Sequence, residues 1–514
     1  MPVRHVARFR ASRGEVETAV GAALGRPARV AVSGRAAEPI EVEVAEDGSA
    51  VFTADLPPPI PWFQWFVGPA NRLHARRALR WAAAAVDARL AGHDGPPAFR
   101  PSRFMPPTDF EPRQSGSIAT AAAIGLVTGL GASLFSTNLD FIGKTFDASD
   151  RALGAAGAVT RIGVLLSLVL TAMADRRGRR RLLLISVAGL ALSSAVSAAA
   201  PTLEVLTAAQ LVNRGLFNAA FVVSAIVVVE EAPEGGRAYA IAMLALARGA
   251  GGAIATLLHP LADLGPDAWR IPFVIHAFTL LLIPGFARTL PETIRYTKLA
   301  ARVVPTRLGN VNEVFTSAYR RRFLLILLVA LLTNMFAAPS AQFANRYLED
   351  QHGFSATQTT LFLAVTGGVP GFVGLMLGGL LSETRGRRGV AVPGLLAGSL
   401  ATMGFFLAGG PALWVLGTVD LFVAGLVAPS LAAFGPELFP TEIRGTANAG
   451  VLVAGVIGSA VGLLVVGTLS DHTLSLGAAI AWTGIASIVV AVFVLPRLPE
   501  PAHQDLDTVS PPLV

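Results

Sequence analysis

The chain has 514 residues, of which 53% are hydrophobic and only 15% are charged, and it contains no cysteine. Because soluble globular proteins carry about a quarter charged residues, this composition excludes an ordinary soluble fold and indicates that much of the surface faces lipid. The lack of cysteine excludes disulfides, thiolate metal sites and cysteine nucleophiles. The net charge of +7 comes from arginines clustered at the ends of apolar segments, so membrane topology explains it better than nucleic-acid binding.

The first 115 residues form a separate α+β extension in this interpretation. Short strands are predicted at 28–33, 40–44 and 50–54, since apolar and polar residues alternate there. A helix is predicted at 69–90, and it carries several arginines. It either packs on the sheet or lies as a basic helix on the anionic inner leaflet of a membrane. The proline-rich stretch 95–115 is predicted to be a linker.

Twelve apolar segments follow, each close to the 20 or so residues that a helix needs to cross a bilayer. Continuous runs of this length are typical of membrane-spanning helices. The predicted spans are 117–142, 152–174, 182–200, 204–229, 238–261, 271–290, 322–345, 358–381, 389–409, 411–434, 446–469 and 475–496.

The loops between these segments alternate in charge. One set carries most of the loop arginines, whereas the other set is short and acidic or neutral. The positive-inside rule therefore places the arginine-rich loops and both termini in the cytoplasm, which an even number of spans allows. We expect a multi-pass protein of the cytoplasmic (inner) membrane.

Three motifs occur twice, at offsets of 207 or 208 residues. They are an acid-x-x-Gly-Arg-Arg loop, a Glu-x-x-Pro-x-x-x-Arg loop and a Leu-Pro-Glu span ending, which begin at Asp175 and Glu383, Glu230 and Glu437, and Leu290 and Leu498. Repeats at a shared offset indicate two related halves. The predicted units are a six-helix bundle at 116–290, a cytoplasmic linker at 291–321, a second bundle at 322–497 and a tail at 498–514.

These loops resemble those of the major facilitator superfamily, and Pro436 to Ala447, which reads PELFPTEIRGTA, is the most specific stretch. Within that superfamily the pattern is similar to the metabolite:proton symporter and sugar-porter branch. The resemblance covers about 117–505 and implies an all-α protein with twelve transmembrane helices in two pseudo-symmetric six-helix bundles. The first signature loop departs from the pattern, with Thr171 where Gly379 stands in the second half.

The resemblance also implies that the loop charges form a conformational latch, made in one state and broken on switching. Asp175 is expected to pair with Arg179 or Arg180, Glu230 with Arg237, and their counterparts in the same way. The alternative is that these charges only set topology. The predicted latch residues are Asp175, Gly178, Arg179, Arg180, Glu230, Arg237, Gly379, Glu383, Gly386, Arg387, Arg388, Glu437 and Arg444.

Charges predicted inside the bilayer are the candidate transport residues, because such charges are costly and usually functional or paired. Arg161, Arg214, Arg248 and Asp420 fall well inside their spans, and Asp140 lies near the external end of the first. Since arginine keeps its proton, the surplus of positive charge favours an anionic substrate.

Other interpretations of these charges remain open. Arg161 could instead pair with Asp140 as a structural bridge, with Arg248 lining a wet cavity. Resemblance to the family implies that Arg214, in the fourth span, takes part in proton transfer. Asn138, Asn334 and Gln342 are candidate hydrogen-bonding residues for substrate, among other side-chain amides. His259 and His276 are expected at the surface.

The sequence thus predicts a secondary active transporter that moves an organic anion or metabolite by proton-coupled symport. Proton-coupled efflux of an amphipathic compound is the alternative, and a membrane sensor using residues 1–115 is a second class. No enzyme signature, cofactor site or metal site is predicted. The expected partners are a small-molecule substrate, protons and the lipid bilayer, without nucleic acid, and the chain is expected to act as a monomer.

Overall fold

The computed structural model describes residues 3–25, 28–31, 37–54, 61–93, 110–233, 236–292 and 319–500. Most of the predicted 95–115 linker, the 291–321 linker and the C-terminal tail lie outside this part. The side chains of Asp175, Glu383, Glu437 and Arg444 also lie outside the described residues, so the latch pairs predicted for them stay predictions.

The N-terminal extension is an α+β unit. Its elements are β1 (Val3–Arg8), α1 (Arg13–Leu24), β2 (Arg29–Ala31), β3 (Ala37–Pro39), β4 (Glu41–Val44), β5 (Ser49–Ala54) and α2 (Gln64–Leu90). β1, β5 and β4 form an antiparallel sheet in that order, and β2 pairs with β3. The predicted strands correspond to β2, β4 and β5, whereas β1, α1 and β3 were not predicted.

The helix α2 packs on the sheet, which confirms the first interpretation of this segment. Leu79 and Val86 of α2 are fully buried in one core with Phe52 of β5. The buried residues of α2 recur every three to four positions, so one stripe of the helix faces the sheet. The arginines Arg72, Arg76 and Arg80 lie on the exposed side of the helix.

In the described part of the chain, twelve helices that are long and apolar enough to span a membrane follow, as predicted. Spans 1 to 12 are Pro112–Thr137, Asp150–Thr171, Arg179–Ala198, Leu203–Glu231, Tyr239–Leu264, Ala268–Thr289, Arg320–Gln351, Ala356–Ser382, Arg387–Leu407, Pro411–Ala432, Thr446–His472 and Leu476–Arg497. The arginine-rich turns before spans 3 and 9 lie at one face, here called the basic face. The other end of each span lies at the opposite face.

Two spans end differently from the prediction. Span 1 breaks at Asn138, whose side-chain amide donates to Leu134 O (2.9 Å), and a separate short helix, Leu139–Thr145, follows. Span 7 continues past Arg346 as a π-helix, Tyr347–Gln351, where a loop was predicted. Its charged residues resemble a loop in hydropathy, but one of them, Glu349, is buried against His259 of the first half.

In each half, a glycine without a side chain allows two spans to cross with their backbones close together. A Cβ on Gly163 of span 2 would collide with Leu211 O of span 4. A Cβ on Gly425 of span 10 would collide with Gly371 O of span 8. In lipid, close backbone approach replaces the hydrophobic effect as the source of helix association. Gly163 and Gly371 are 208 residues apart in the sequence, so the packing repeats with the motifs.

The two halves share a core at the opposite face. One apolar cluster there joins first-half residues such as Leu153 and Trp269 to second-half residues such as Phe343 and Leu463. Towards the basic face, the cluster around Ile124 is built from first-half residues together with the extension, and the cluster around Phe439 from second-half residues. The described cores therefore hold the halves together at the opposite face.

Trp62 joins the extension to the first bundle at the basic face. Its indole N–H lies 3.2 Å from Thr120 Oγ1 and 3.3 Å from Thr289 Oγ1, which belong to spans 1 and 6. Its ring packs 4.6 Å from that of Phe286, and a Cβ on Gly285 would collide with it. Sequence reasoning did not predict this anchor, because its partners lie more than 50 residues away along the chain.

Candidate functional site: a central cavity and its gate

A cavity of about 70 Å³ lies between the halves, lined by spans 1, 2, 4 and 7. Arg161 and Arg214 each lie eleven residues from the opposite-face ends of their spans, Asp150 and Leu203. At 1.5 Å per residue this is about 16 Å, roughly half of a 30 Å hydrocarbon core. The lining residues are Ala132, Phe135, Ser136, Thr160, Arg161, Gln210, Asn213, Arg214, Ala341 and Gln342.

The cavity is rich in hydrogen-bond donors, and none of the described residues that line it is acidic. Arg214 Nε and Gln342 Nε2 are buried there without a hydrogen-bond partner in the part of the chain that the structure describes. No ion pair resolved among those residues includes Arg161, Arg214 or Arg248. Unpaired buried donors and cations are costly, so the site is suited to an anion.

Arg248 of span 5 is held differently. Its guanidinium lies 4.8 Å from the ring of Phe217 and 4.4 Å from that of Phe221, both on span 4. Arg214 lies 5.6 Å from the same Phe217 ring. Such cation–π contacts recover part of the cost of burying arginine. Arg248 is therefore held against aromatic rings of span 4 and is not among the described residues that line the cavity.

Asp140 does not bridge to Arg161, so this alternative was wrong. Its carboxylate is fully buried and lies 2.6 Å from Lys144 Nζ and 3.1 Å from Arg346 Nη1 of span 7. Arg346 Nε also lies 2.6 Å from Asp150 Oδ1. The sequence could not reveal this cluster, because Arg346 and Asp150 both fall in predicted loops.

The remaining predicted transport residues lie elsewhere. Asp420 hydrogen-bonds Thr402 (2.5 Å) between spans 9 and 10. Asn334 donates to Ala330 O of its own span. Asn138 lies beside His259 at the opposite face. The structure therefore brings Arg161, Arg214 and Gln342 into one cavity and leaves the other five candidates outside it.

Both histidines expected at the surface are fully buried, so that expectation was wrong. His276 contacts Ser194 Oγ (2.7 Å) and Val127 O (3.0 Å) within the first half. His259 Nε2 lies 2.5 Å from Glu349 Oε1 of the second half. The end of span 5 is a 3₁₀ helix, His259–Leu264, and the extended end of span 7 supplies Glu349 to its first residue.

Further polar contacts close the opposite face between the halves. Asp263 accepts from the backbone N–H groups of Ala356 and Thr357, each at 2.9 Å, and so caps span 8 from the other half. Asp471 accepts from Arg151 N at 3.2 Å. Sequence reasoning treated these acids as topology markers, and only their position in space shows that they join the two halves at this face.

At the basic face of the first half, Glu292 caps span 3. Its carboxylate accepts from the backbone N–H groups of Arg179 (3.0 Å) and Arg180 (3.3 Å). The Arg179 guanidinium lies 3.0 Å from Glu230. Glu230 thus contacts the first residue of span 3, whereas its predicted partner Arg237 is exposed. An anion at a helix N-terminus is stabilised by the helix dipole.

The second half repeats this arrangement. Glu500 accepts from Arg387 N and Arg388 N, both at 2.8 Å, and caps span 9. The preceding glycines, Gly178 and Gly386, have φ of 95° and 87°, which favours glycine in each turn. A Cβ on Gly379 would have no neighbour within 4 Å, so this glycine makes no close helix contact.

Two repeated six-helix units that enclose a polar cavity at half depth define a membrane transporter of the alternating-access type. The sequence model of the Major Facilitator Superfamily matches residues 121–426 and 347–512. The chain belongs to this superfamily. It is a multi-pass membrane transporter and not an enzyme.

Known proteins similar to the chain fit this family. A cis,cis-muconate transport protein of Acinetobacter baylyi is 24% identical over 393 residues, covering 73% of the chain and 93% of the relative. The class G tetracycline resistance protein of Vibrio anguillarum is 24% identical over 398 residues, covering 76% and 98%. The inward-open xylose transporter XylE of E. coli superposes with a TM-score of 0.61 at 18% identity, covering 76% and 98%.

Proposed function

We propose that this protein imports a small organic anion together with protons. The observation that carries the proposal is the presence of Arg161 and Arg214 in one mid-depth cavity, of whose described lining residues none is acidic. Arg214 Nε and Gln342 Nε2 are donors without a partner in the described part of the chain. A carboxylate would satisfy them and balance the surplus positive charge, since guanidinium and carboxylate match in geometry.

The relative named for cis,cis-muconate transport supports a carboxylate substrate. We place the basic face in the cytoplasm by the positive-inside rule, and we take the chain to work as a monomer. In this orientation the shared core at the opposite face closes the external side. The central cavity would then receive substrate from outside after this gate opens, and release it towards the cytoplasm after it closes.

The test is uptake of labelled cis,cis-muconate into proteoliposomes with an imposed inward proton gradient. We expect uptake above the gradient-free rate. Arg161→Ala and Arg214→Ala should each lower it about 10- to 100-fold, since a hydrogen bond to a charged group contributes about 1.5–3 kcal/mol. Arg288→Ala is the matched control, because Arg288 is exposed at the basic face.

Parental uptake rates in both cavity variants, for muconate and for other carboxylates of a substrate panel, would overturn the anion proposal. Equal uptake with and without the gradient would overturn proton coupling alone.

Efflux of an amphipathic compound is a second candidate, supported by the similarity to the tetracycline resistance protein. The contacts of Arg248 with Phe217 and Phe221 show that this part of the interior combines aromatic and cationic groups. Tetracycline accumulation in inverted vesicles driven by an outward proton gradient distinguishes the two. Accumulation there, with no carboxylate uptake in proteoliposomes, would favour efflux.

A further inference from the structure

One buried pair of titratable groups joins the halves away from the substrate cavity. His259, on the first half, and Glu349, on the second, have side chains that are 0% and 2% exposed. His259 Nε2 lies 2.5 Å from Glu349 Oε1. The other ring nitrogen, Nδ1, lies 3.3 Å from Asn138 Oδ1. Neither residue lines the central cavity.

The hydrogen-bond pattern fixes the number of protons in this pair. The Asn138 amide nitrogen donates to Leu134 O, so its oxygen faces His259 and the ring must carry a proton on Nδ1. The short contact between Nε2 and the carboxylate then needs one more proton between them. Without it, the lone pair of Nε2 would face a buried anionic oxygen, which is repulsive.

Among the described residues, no cation other than His259 contacts the Glu349 carboxylate. Glu349 Oε2 has no hydrogen-bond partner there, although the Thr359 side chain of span 8 faces the carboxylate. The Asp140 carboxylate, on the short helix after span 1, is close enough to repel the Glu349 carboxylate. Asp140 is itself paired with Lys144 and Arg346.

Two further neighbours complete the environment. Phe141 packs its ring edge-on against His259, with centroids 5.9 Å apart. Asp263, one turn further along the chain, uses its carboxylate to cap span 8. The proton of the His259–Glu349 pair is therefore the component of this contact that can be lost once water reaches the pair.

We propose that His259 and Glu349 form a proton-binding site whose occupancy closes the gate at the opposite face. Because the partners belong to different halves, opening the gate separates them and exposes both to water. Closure recreates a contact that requires the shared proton. Because the closed contact holds this proton and the separated groups need not, protonation favours closure and proton loss favours opening.

This inference rests on the proposed function only for which side of the membrane the gate faces. If the gate faces the outside, binding of an external proton would favour closure of the gate after substrate has bound.

The test uses the absence of cysteine in the chain to follow the gate without substrate. Val466 is fully buried in the core shared by the halves. The single-cysteine variant Val466→Cys is placed in lipid nanodiscs, where both faces meet the same buffer, and its reaction with a maleimide is timed from about pH 5.5 to about pH 8.5. Gly409→Cys, at an exposed turn, corrects for the pH dependence of the thiol itself.

We expect the corrected labelling rate of the Val466→Cys variant to rise about tenfold across this range, because a tenfold shift corresponds to one pH unit of difference in proton affinity between the states. Adding Glu349→Gln should abolish the rise and keep labelling slow, since an amide donates to Nε2 without titrating. Asp263→Asn is the matched control: it weakens another contact between the halves, so labelling should increase at every pH with the same slope.

A pH-independent rate in the Val466→Cys protein would overturn the proposal without any further variant. So would an unchanged tenfold rise after Glu349→Gln is added to the folded protein. Neither result bears on the cavity arginines, whose role is tested by muconate uptake.

Discussion

The buried carboxylate of Asp140 in the first half lies 3.1 Å from the guanidinium of Arg346 in the second. Arg346 also contacts Asp150, so one arginine holds two first-half acids. Breaking a buried ion pair costs about 3–5 kcal/mol when the remaining charge is left unpaired. Lys144 stays on Asp140 and reduces this cost.

We therefore expect Arg346→Gln to favour opening of the opposite face. The measurement is the maleimide labelling rate of the Val466→Cys thiol at one fixed pH, which should increase several-fold. Arg270→Gln is the control, since Arg270 donates to Ala198 O and Ala200 O within the first half. An unchanged rate in Arg346→Gln, with Arg270→Gln also unchanged, would mean that the ion pairs of Arg346 do not hold the gate shut.

Gly154 lets span 2 approach span 11 closely in the closed gate. A Cβ there would lie 2.5 Å from Leu463 O, a distance that the backbone must relieve by moving. Gly154→Ala should accordingly keep the opposite face open and lower transport. Gly249→Ala is the control, because nothing lies within 4 Å of its Cβ position and alanine favours helix. Electron–electron distance measurements across the gate report the shift, and identical distributions in both variants would contradict it.

The Leu-Pro-Glu endings contribute to stability through their caps. Glu292→Gln and Glu500→Gln should each cost about 0.5–2 kcal/mol, the range found for lost helix caps, and lower the melting temperature by about 0.5–2 °C, since the entropy of unfolding grows with chain length. Since the caps belong to different halves, the two losses should add in the double variant. Thermal unfolding in detergent measures them. Asp267→Asn, whose side chain is 69% exposed, should leave the melting temperature unchanged.

Trp62 should fix the position of the extension against the first bundle. Trp62→Phe keeps an aromatic ring on Phe286 but loses two hydrogen bonds, so we expect a partial effect. Trp62→Ala should broaden the distance distribution between spin labels at Glu17 and Arg288, both exposed positions. Leu73→Ala, on the exposed side of α2, is the control. A narrow distribution in Trp62→Ala would show that other contacts carry the docking.

The spans and the internal repeat could be predicted because they depend on local composition and spacing. Hydropathy depends on which residues lie within about 20 positions of each other, and the motif offsets are read directly. The break at Asn138 and the extension of span 7 to Gln351 could not be predicted. Both depend on hydrogen bonds or charges supplied by other parts of the fold.

The same limit applies to the site residues: their burial could be predicted from the sequence, but their partners could not. The sequence indicated that Arg161 and Arg214 are buried, because their depth follows from counting along a helix. It could not indicate that Arg346 belongs with Asp140, or Glu230 with Arg179, because several opposite charges lie at each face. Choosing among them requires distances between helices.

By itself, the sequence determined that this chain is a duplicated, twelve-span membrane transporter with arginines at half depth. Apolar length, arginine-rich turns and repeated motifs act locally, so they can be recognised before folding is known. Only the tertiary structure decided which arginines share a cavity, that His259 meets Glu349, and that acids from loops close one face. Each of these depends on residues about 90 or more positions apart in the chain or on different helices, whose approach is set by helix packing rather than by their neighbours in sequence.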